Sequence, residues 1–335
     1  SKCCAKSSTI TSIDSKTTIN VNTFTMNSWI ANQEIYAKNT IVSTAFAIES
    51  LIKWEVASLM VENLKISGVR YNAKPLAHLT ISGAFSGKTV ELSDCEVDDA
   101  LVVIECTDAC SASVEGLKIG SIKSFSSDSG VVHFNKASSY PMVLTILSSA
   151  FDKVSSLNGG TLMLTNIKKA GIELSDFSSN SSSSYASALQ IISEDLEIAL
   201  KSCKFIGNTS TLSGTLFMST VLKSTILFSL EDCQFNSNTA DKGSAMYLEG
   251  GSFPLLSIAN CSFDRNKAST ATVYLNSFSG KFSMKNSSFT LNSATTAAVL
   301  EIGQRDGDHS ISDCKFEENS GESIIRLRES YSRQS

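Results

Sequence analysis

The strongest constraint in this chain is an internal repeat. Five segments align around an aromatic residue, Phe205, Phe235, Phe263, Phe289 and Phe316, at spacings of 30, 28, 26 and 27 residues. Two residues before each Phe stand Cys203, Cys233, Cys261, Ser287 and Cys314. Three residues after each stand Asn208, Asn238, Asn266, Asn292 and Asn319. Eleven residues after each Phe comes an apolar or aromatic residue: Leu216, Met246, Tyr274, Leu300 and Leu327. Self-similarity at this period marks a solenoid, whose units cannot bury an apolar face alone and therefore stack. Inside a unit the pattern alternates: Ser244, Met246 and Leu248 interleave with Ala245, Tyr247 and Glu249, and Cys233 and Phe235 flank Gln234. Period two is the signature of a strand, and the Asn, Ser, Thr, Gly and Asp between the runs are turn residues. No unit holds the 3.6-period stretch that a crossover helix needs. One to three strands per unit, without helices, predict a parallel β-helix filled by ladders of Phe, Leu and Cys. Propeller blades need about 40–45 residues, and a leucine-rich repeat needs a denser Leu pattern.

The repeat extends towards the N-terminus. Ile172, Ser175, Phe177 and Asn180 take the same places, and Phe151, Phe177 and Phe205 are 26 and 28 residues apart. Strand-like runs continue back to Ile66. The expectation is an all-β, single-stranded parallel β-helix of about ten coils over 66–335. At ~4.8 Å per coil the rod is on the order of 50 Å long. Residues 1–65 are expected to form an irregular capping region continuous with it. Within that region Ile41, Ala45, Ile48 and Ile52 fit a short capping helix of about three turns, with strand as the alternative.

The C-x-F-x-x-N pattern resembles the repeat of pectin-lyase-like right-handed parallel β-helices. It is most similar to the F-x-x-N and G-G-A-I repeats of chlamydial polymorphic outer-membrane proteins. The F-x-x-N part stands at Phe205/Asn208, Phe235/Asn238, Phe263/Asn266, Phe289/Asn292 and Phe316/Asn319, whereas Gly243-Ser244-Ala245-Met246 is the nearest match to G-G-A-I. The resemblance implies a right-handed coil and, more remotely, an adhesin role; fold alone does not fix function.

Composition narrows the partners. The net charge is −5 and no basic stripe occurs, which argues against nucleic acid. No apolar run reaches the 18 residues of a membrane-spanning helix. Only 18% of residues are charged and only three are Pro, so the abundant Ser and Thr read as the outward coat of a solenoid rather than as a mucin-like stalk. The chain is expected to be part of a longer polypeptide, extracellular or on a cell surface.

Few constellations could carry chemistry. Cys203, Cys233, Cys261 and Cys314 read as a ladder of buried thiols. Cys106 and Cys110, four apart in a turn-like stretch, are the candidate disulfide. No C-x-x-C occurs and no His stands beside a Cys, so neither a metal nor any other cofactor is expected. Asp98-Asp99 resembles the paired Asp of polygalacturonase-type glycosidases, whose mechanism needs carboxylates facing one groove. The G-H-G and R-I-K of that pattern are missing, so the bland expectation is an acidic turn. Arg305–His309 has the residue types of a Ca²⁺-binding lyase loop but lacks EF-hand spacing and reads as a solvated turn. The Asn column is read as structural, bonding coil to coil, with Asn suited to a left-handed turn.

N-glycosylation triplets begin at Asn180, Asn208, Asn260 and Asn286. Asn260 and Asn286 precede the inward Cys column and should face outward, whereas Asn208 belongs to the ladder and is open to burial. Taken together, the sequence points to a structural or surface β-helix without catalysis, in a filament, appendage, coat or adhesin stalk. Its partners would be further copies or neighbouring domains stacked end to end, and glycans. The alternatives are a carbohydrate-active enzyme acting through Asp98 and Asp99, or a glycan-binding module with an aromatic cleft.

Overall fold

The computed structural model describes residues 13–20, 26–43, 52–62, 65–67, 70–71, 75, 77–125, 130–136, 141–220, 224–296 and 298–329. They form an all-β parallel solenoid of the right-handed type with about nine turns and no helix. One coil is representative: a long strand Leu196–Lys201, an aromatic strand Lys204–Ile206, a short strand Thr209–Ser210 and a return strand Leu216–Ser219. Each strand pairs in parallel with its counterparts in the neighbouring coils. Phe205 lies opposite Phe177 on one side and Phe235 on the other. The short strands form a nine-stranded sheet of their own, one strand per coil.

Alternation decides what is inside. Along Leu196–Lys201, Leu196, Ile198 and Leu200 are buried while Glu197, Ala199 and Lys201 face solvent. The same rule makes one continuous core from Leu59 to Ile302. Fully burying each Phe or Leu stabilises the rod by about 1.5–3 kcal/mol relative to exposure.

Four strands per coil exceed the one to three expected, and the reason is local. A residue in the left-handed region stands three before and two after each aromatic-strand centre: Ser202 and Gly207 around Phe205, Asp232 and Ser237 around Phe235, Leu174 and Ser179 around Phe177. Each such residue turns the chain sharply and cuts an apparently continuous run in two. The run Thr89–Val97, for example, becomes Glu91–Ser93 and Glu96–Val97, broken at Asp94. The left-handed conformation expected of the ladder Asn belongs instead to the residue before it, and the Asn points inward.

Leu174 is the least comfortable of these corners, with φ 49° and a side chain 58% exposed. A left-handed conformation costs a β-carbon residue about 1–2 kcal/mol, and Asn tolerates it better. Leu174→Asn is therefore expected to raise the unfolding free energy by about 0.5–1 kcal/mol. Urea titration checks this, and an unchanged or lower value would mean that the corner is not strained.

The three-turn capping helix expected over 41–56 is not found where the chain is described: Ile41–Ser43 lies at the end of the strand Met26–Ser43, and Ile52–Val56 begins the strand Ile52–Glu62. Residues 44–51 lie outside the described residues. Parallel pairing outcompetes the helical period here, since Ile52, Trp54 and Val56 align with Ala77, Leu79 and Ile81 of the next coil. The same ladder continues to the first described strand, with Ile19 opposite Val42, Val42 opposite Ile66 and Ile66 opposite Leu92.

Candidate functional site

Three groups of side chains stand out: the inner ladders, the outer face of the return strands, and the turn that carries Asp98 and Asp99.

The ladders are internal. Phe151, Phe177, Phe205, Phe235, Phe263, Phe289 and Phe316 stack face to face, with centroids 4.4–5.1 Å apart. Beside them runs the Asn column. Asn238 Oδ1 accepts from the backbone N–H of Asn208 at 3.0 Å and from Asn208 Nδ2 at 3.0 Å. Asn238 Nδ2 donates to the Phe205 carbonyl at 2.9 Å and to Asn266 Oδ1 at 2.9 Å. All four hydrogen-bonding capacities of the carboxamide are thus used inside the rod. Asn266 and Asn292 repeat the scheme, and Asn319 receives the last pair.

The Cys column obeys the same logic. Cys203, Cys233, Cys261 and Cys314 donate to the carbonyl two residues earlier, as do the hydroxyls of Ser149, Ser175 and Ser287 in the other coils. Cys and Ser are therefore interchangeable here as small donors. The Cys233 thiol and burial push Cys203 above the ordinary thiol range, which makes it a poor nucleophile. Cys106 and Cys110 are disulfide-bonded, Cα–Cα 6.1 Å, and close the turn between the strands Val102–Cys106 and Cys110–Glu115. Cys95 takes the Asn place of its coil, three residues after Leu92, and is buried.

The four glycosylation triplets divide sharply. Asn180 and Asn208 are 1% and 0% exposed, and each donates its Nδ2 to a carbonyl of the preceding coil. That leaves no room for a glycan in the folded coil. Asn260 and Asn286 are exposed at left-handed corners, φ 55° and 49°, on adjacent coils.

The outer face of the return strands was not legible beforehand. Outward positions on a strand are normally wet, yet Met163, Gln190, Phe217 and Tyr247 are only 4–6% exposed. Tyr185, Phe217, Tyr247 and Tyr274 form a second aromatic stack, with centroids 5.2–5.5 Å apart. The loops leading into these strands lie close over it. At Gly243, with φ 58°, a Cβ would strike the Met246 carbonyl and the Cβ of Tyr247. This is the place of the nearest G-G-A-I match, and close approach is what the small residue serves. The stack ends in a polar group: Tyr247 OH donates to Glu249 at 3.0 Å, Asn276 donates to Glu249 at 3.3 Å, and Arg328 Nε lies 2.8 Å from the buried Glu301. Burial raises the Glu301 carboxyl in spite of Arg328 and Arg326.

Asp98 and Asp99 sit in the turn between the strands Glu96–Val97 and Val102–Cys106. Asp99 Oδ1 accepts from the Ala100 N–H at 2.7 Å, so one oxygen folds back on its own turn. Around the corner, His78 Nε2 contacts Glu105 Oε2 at 3.1 Å, and His133 Nε2 contacts Thr165 Oγ1 at 2.9 Å. His78, Val103 and His133 occupy one column of the return face. Their spacing of 25 and 30 residues was the signal available in the sequence. Burial pulls His133 down to about 4, against the opposing pull of Asp99 and Glu105. The expected turn over Arg305–His309 shrinks to two residues: Arg305 lies in the strand Ala298–Asp306, and His309 opens the strand His309–Ser312, meets Phe282 edge-on at 6.2 Å and is lowered by burial. Among the described residues no three His, Cys, Asp or Glu side chains are placed to hold a metal ion.

His133 makes a pH prediction. Its ordinary value is 6.5 and its folded value about 4, so the fold favours the neutral ring. The stabilisation is present above pH 6.5 and is lost as pH falls towards 4. Partial exposure discounts the full linkage, leaving on the order of 2–3 kcal/mol. The loss of stability between pH 7.5 and 4.5 should be smaller for His133→Gln than for the parent; equal losses would remove His133 as a cause.

Comparison of the chain with protein-family models, curated proteins and solved structures finds no match.

Proposed function

We propose that this chain is a structural rod of an extracellular or cell-surface assembly, a filament, appendage, coat or adhesin-stalk component, and that it works without catalysis. The observation that carries this reading is the use made of the repeat. Its Phe faces and Asn carboxamides are consumed in coil-to-coil bonding, and such bonding gives stiffness along one axis. The motif's likeness to pectin-lyase-like and polymorphic outer-membrane repeats fits a surface role. The second aromatic stack weighs against a glycan platform: sugars bind to open ring faces, and these faces are pressed against one another. Asn260 and Asn286 are the positions at which glycans would sit.

One observation favours a second reading, a carbohydrate-active enzyme. His78, Glu105 and His133 gather on one face, near enough to Asp99 for its charge to act on His133. Electron microscopy of the protein in its source material decides between them. Filaments or a coat with a regular axial repeat support the rod. Dispersed particles, together with cleavage of acidic polysaccharide that Asp99→Asn abolishes, would replace it with the enzyme.

A further inference from the structure

The outer face of the long strands carries a charge pattern that the repeat itself does not require. Parallel pairing sets Lys169 beside Glu197 in one outward column and Glu173 beside Lys201 in another, four residues along the strands. The four charges stand at the corners of a square with alternating sign, and Gly171 and Ala199 lie between them. Ion pairs along the rod use part of this charge, Lys169 with Glu197 and Lys201 with Glu231, yet each of these side chains keeps about half of its surface in water. Glu173 is exposed as well.

Apolar residues continue the face on both sides of the square. Val143 precedes Lys169 in the first column, and Leu227 and Leu255 follow Glu197; they are 41%, 42% and 40% exposed. Leu147 precedes Glu173 in the other column, and Glu231 and Ala259 follow Lys201. The column between the two holds only small side chains, from Thr145 through Ser229 to Ser257, so two such faces can approach closely. From Ser111 to Leu255 the pairing spans six coils. At ~4.8 Å per coil and ~3.3 Å per residue along strands such as the six-residue Leu196–Lys201, the face covers on the order of 600 Å². Two copies would bury about 1,200 Å², the lower bound of a specific interface.

A square of alternating charge is complementary to itself. A two-fold axis that runs along the rod, over the central column, makes the two outer columns exchange places in a second copy. Lys169 then lies over Glu173 of that copy and Glu197 over Lys201, each pair formed twice. Val143 lies over Leu147, and Leu255 over Ala259. A slip of one coil reverses the signs: Lys169 would meet Lys201, and Glu173 would meet Glu197. The face thus rejects the wrong register as well as favouring the right one. The match lapses where Leu227 lies over Glu231, and it ends where Lys281 meets Lys285. An antiparallel two-fold would satisfy the same square but would set Leu147 over Glu231 and Leu255 over Ser111, leaving Val143 over Leu227 as its one apolar contact.

We propose that this face pairs with the same face of a second copy of this chain, side by side and parallel, with the square of Lys169, Glu173, Glu197 and Lys201 at its centre. The contact is isologous and closes on itself, so it doubles the rod. Its small area and its dependence on exposed charges make it reversible and sensitive to salt. This pairing rests on the reading of the chain as a structural rod and gives that rod a lateral partner.

Mixing two charge variants tests it. One carries Lys169→Glu and Lys201→Glu, the other Glu173→Lys and Glu197→Lys, so each presents four like charges on this face. Sedimentation velocity of the parent should show a monomer–dimer equilibrium that weakens as salt is raised. Each variant alone should associate at least about ten-fold more weakly, and an equimolar mixture should recover the parent's affinity, which misfolded variants could not do. Cross-linking with a short bis-maleimide reads the orientation, in a background of Cys3→Ser, Cys4→Ser and Cys314→Ser. Ser257→Cys, on the axis, should join to its own position in the second copy. Antiparallel pairing would instead join Thr145→Cys of one copy to Ser229→Cys of the other. A parent that stays monomeric at every concentration, a mixture that does not associate, or the antiparallel cross-link would overturn the contact. Filaments or a coat in source material alongside such a failure would keep the structural reading and discard only this pairing; dispersed particles there would discard the reading itself.

Discussion

Replacing Asn238 by alanine is expected to lower the unfolding free energy by about 4 kcal/mol, a loss as large as that of a core aromatic although no large apolar group is removed. The side chain is 0% exposed and makes four hydrogen bonds. Alanine leaves the Asn208 N–H and one Asn208 Nδ2 hydrogen without partners in the dry interior and removes one of the donors to the Phe205 carbonyl; each orphan costs about 1–3 kcal/mol, part of which water recovers. Two companions separate this cause from simple loss of volume. Asn319→Ala, at the half-buried end of the ladder, should cost about 1 kcal/mol because solvent replaces the missing partner. Asn238→Asp keeps both acceptor roles but cannot donate to Phe205, and its charge is buried; its cost should shrink on acidification, when the protonated carboxyl regains one donor. Urea titration at pH 7 and pH 5 reads all three. A cost for Asn238→Ala no greater than for Asn319→Ala would mean that the ladder is decoration.

The inner half of this rod is legible in the sequence because three of its inward columns repeat one residue type or a close substitute over the later coils. Phe, Asn and Cys recur at fixed offsets, so their shared environment shows through variable spacers. The corners were not legible. Of the eighteen left-handed residues that flank the aromatic strands, only Gly116 and Gly207 are glycine; the others include Leu174, Arg265, Lys153 and Glu318, none of which announces a turn. The outer face of the return strands was hidden for another reason. Its columns change character along the rod, from His78 and His133 through Phe217 and Tyr247 to Glu301 and Arg326. Which residues become neighbours there depends on loop lengths, which vary from coil to coil. At 41–43 and 52–56 strand takes the place of the expected helix because a period near 3.6 and strict alternation coexist there, and only the neighbouring coil arbitrates. The buried sequons follow the same lesson: Asn180 and Asn208 differ from Asn260 and Asn286 only in their place relative to the Phe, which is a tertiary fact written as a sequence offset.

Phe235→Ala is expected to cost about 3–5 kcal/mol, and its effect should be localised in a way that a globular core would not permit. The ring is 0% exposed and stacks on Phe205 at 4.6 Å and on Phe263 at 5.1 Å, so its removal opens a cavity shared by two coil interfaces. Phe235→Leu retains most of the volume and should cost about 1–1.5 kcal/mol. In a solenoid each coil contacts only its neighbours, so stability is close to a sum of coil and interface terms. Weakening two adjacent interfaces in mid-rod therefore uncouples the halves. Amide exchange should accelerate most in the coils of Phe205, Phe235 and Phe263, and thermal unfolding should split into two transitions. Phe316→Ala, which has a single stacked neighbour, should fray the last coil and leave one transition. A single, uniformly shifted transition for Phe235→Ala would mean that the rod unfolds as one cooperative body.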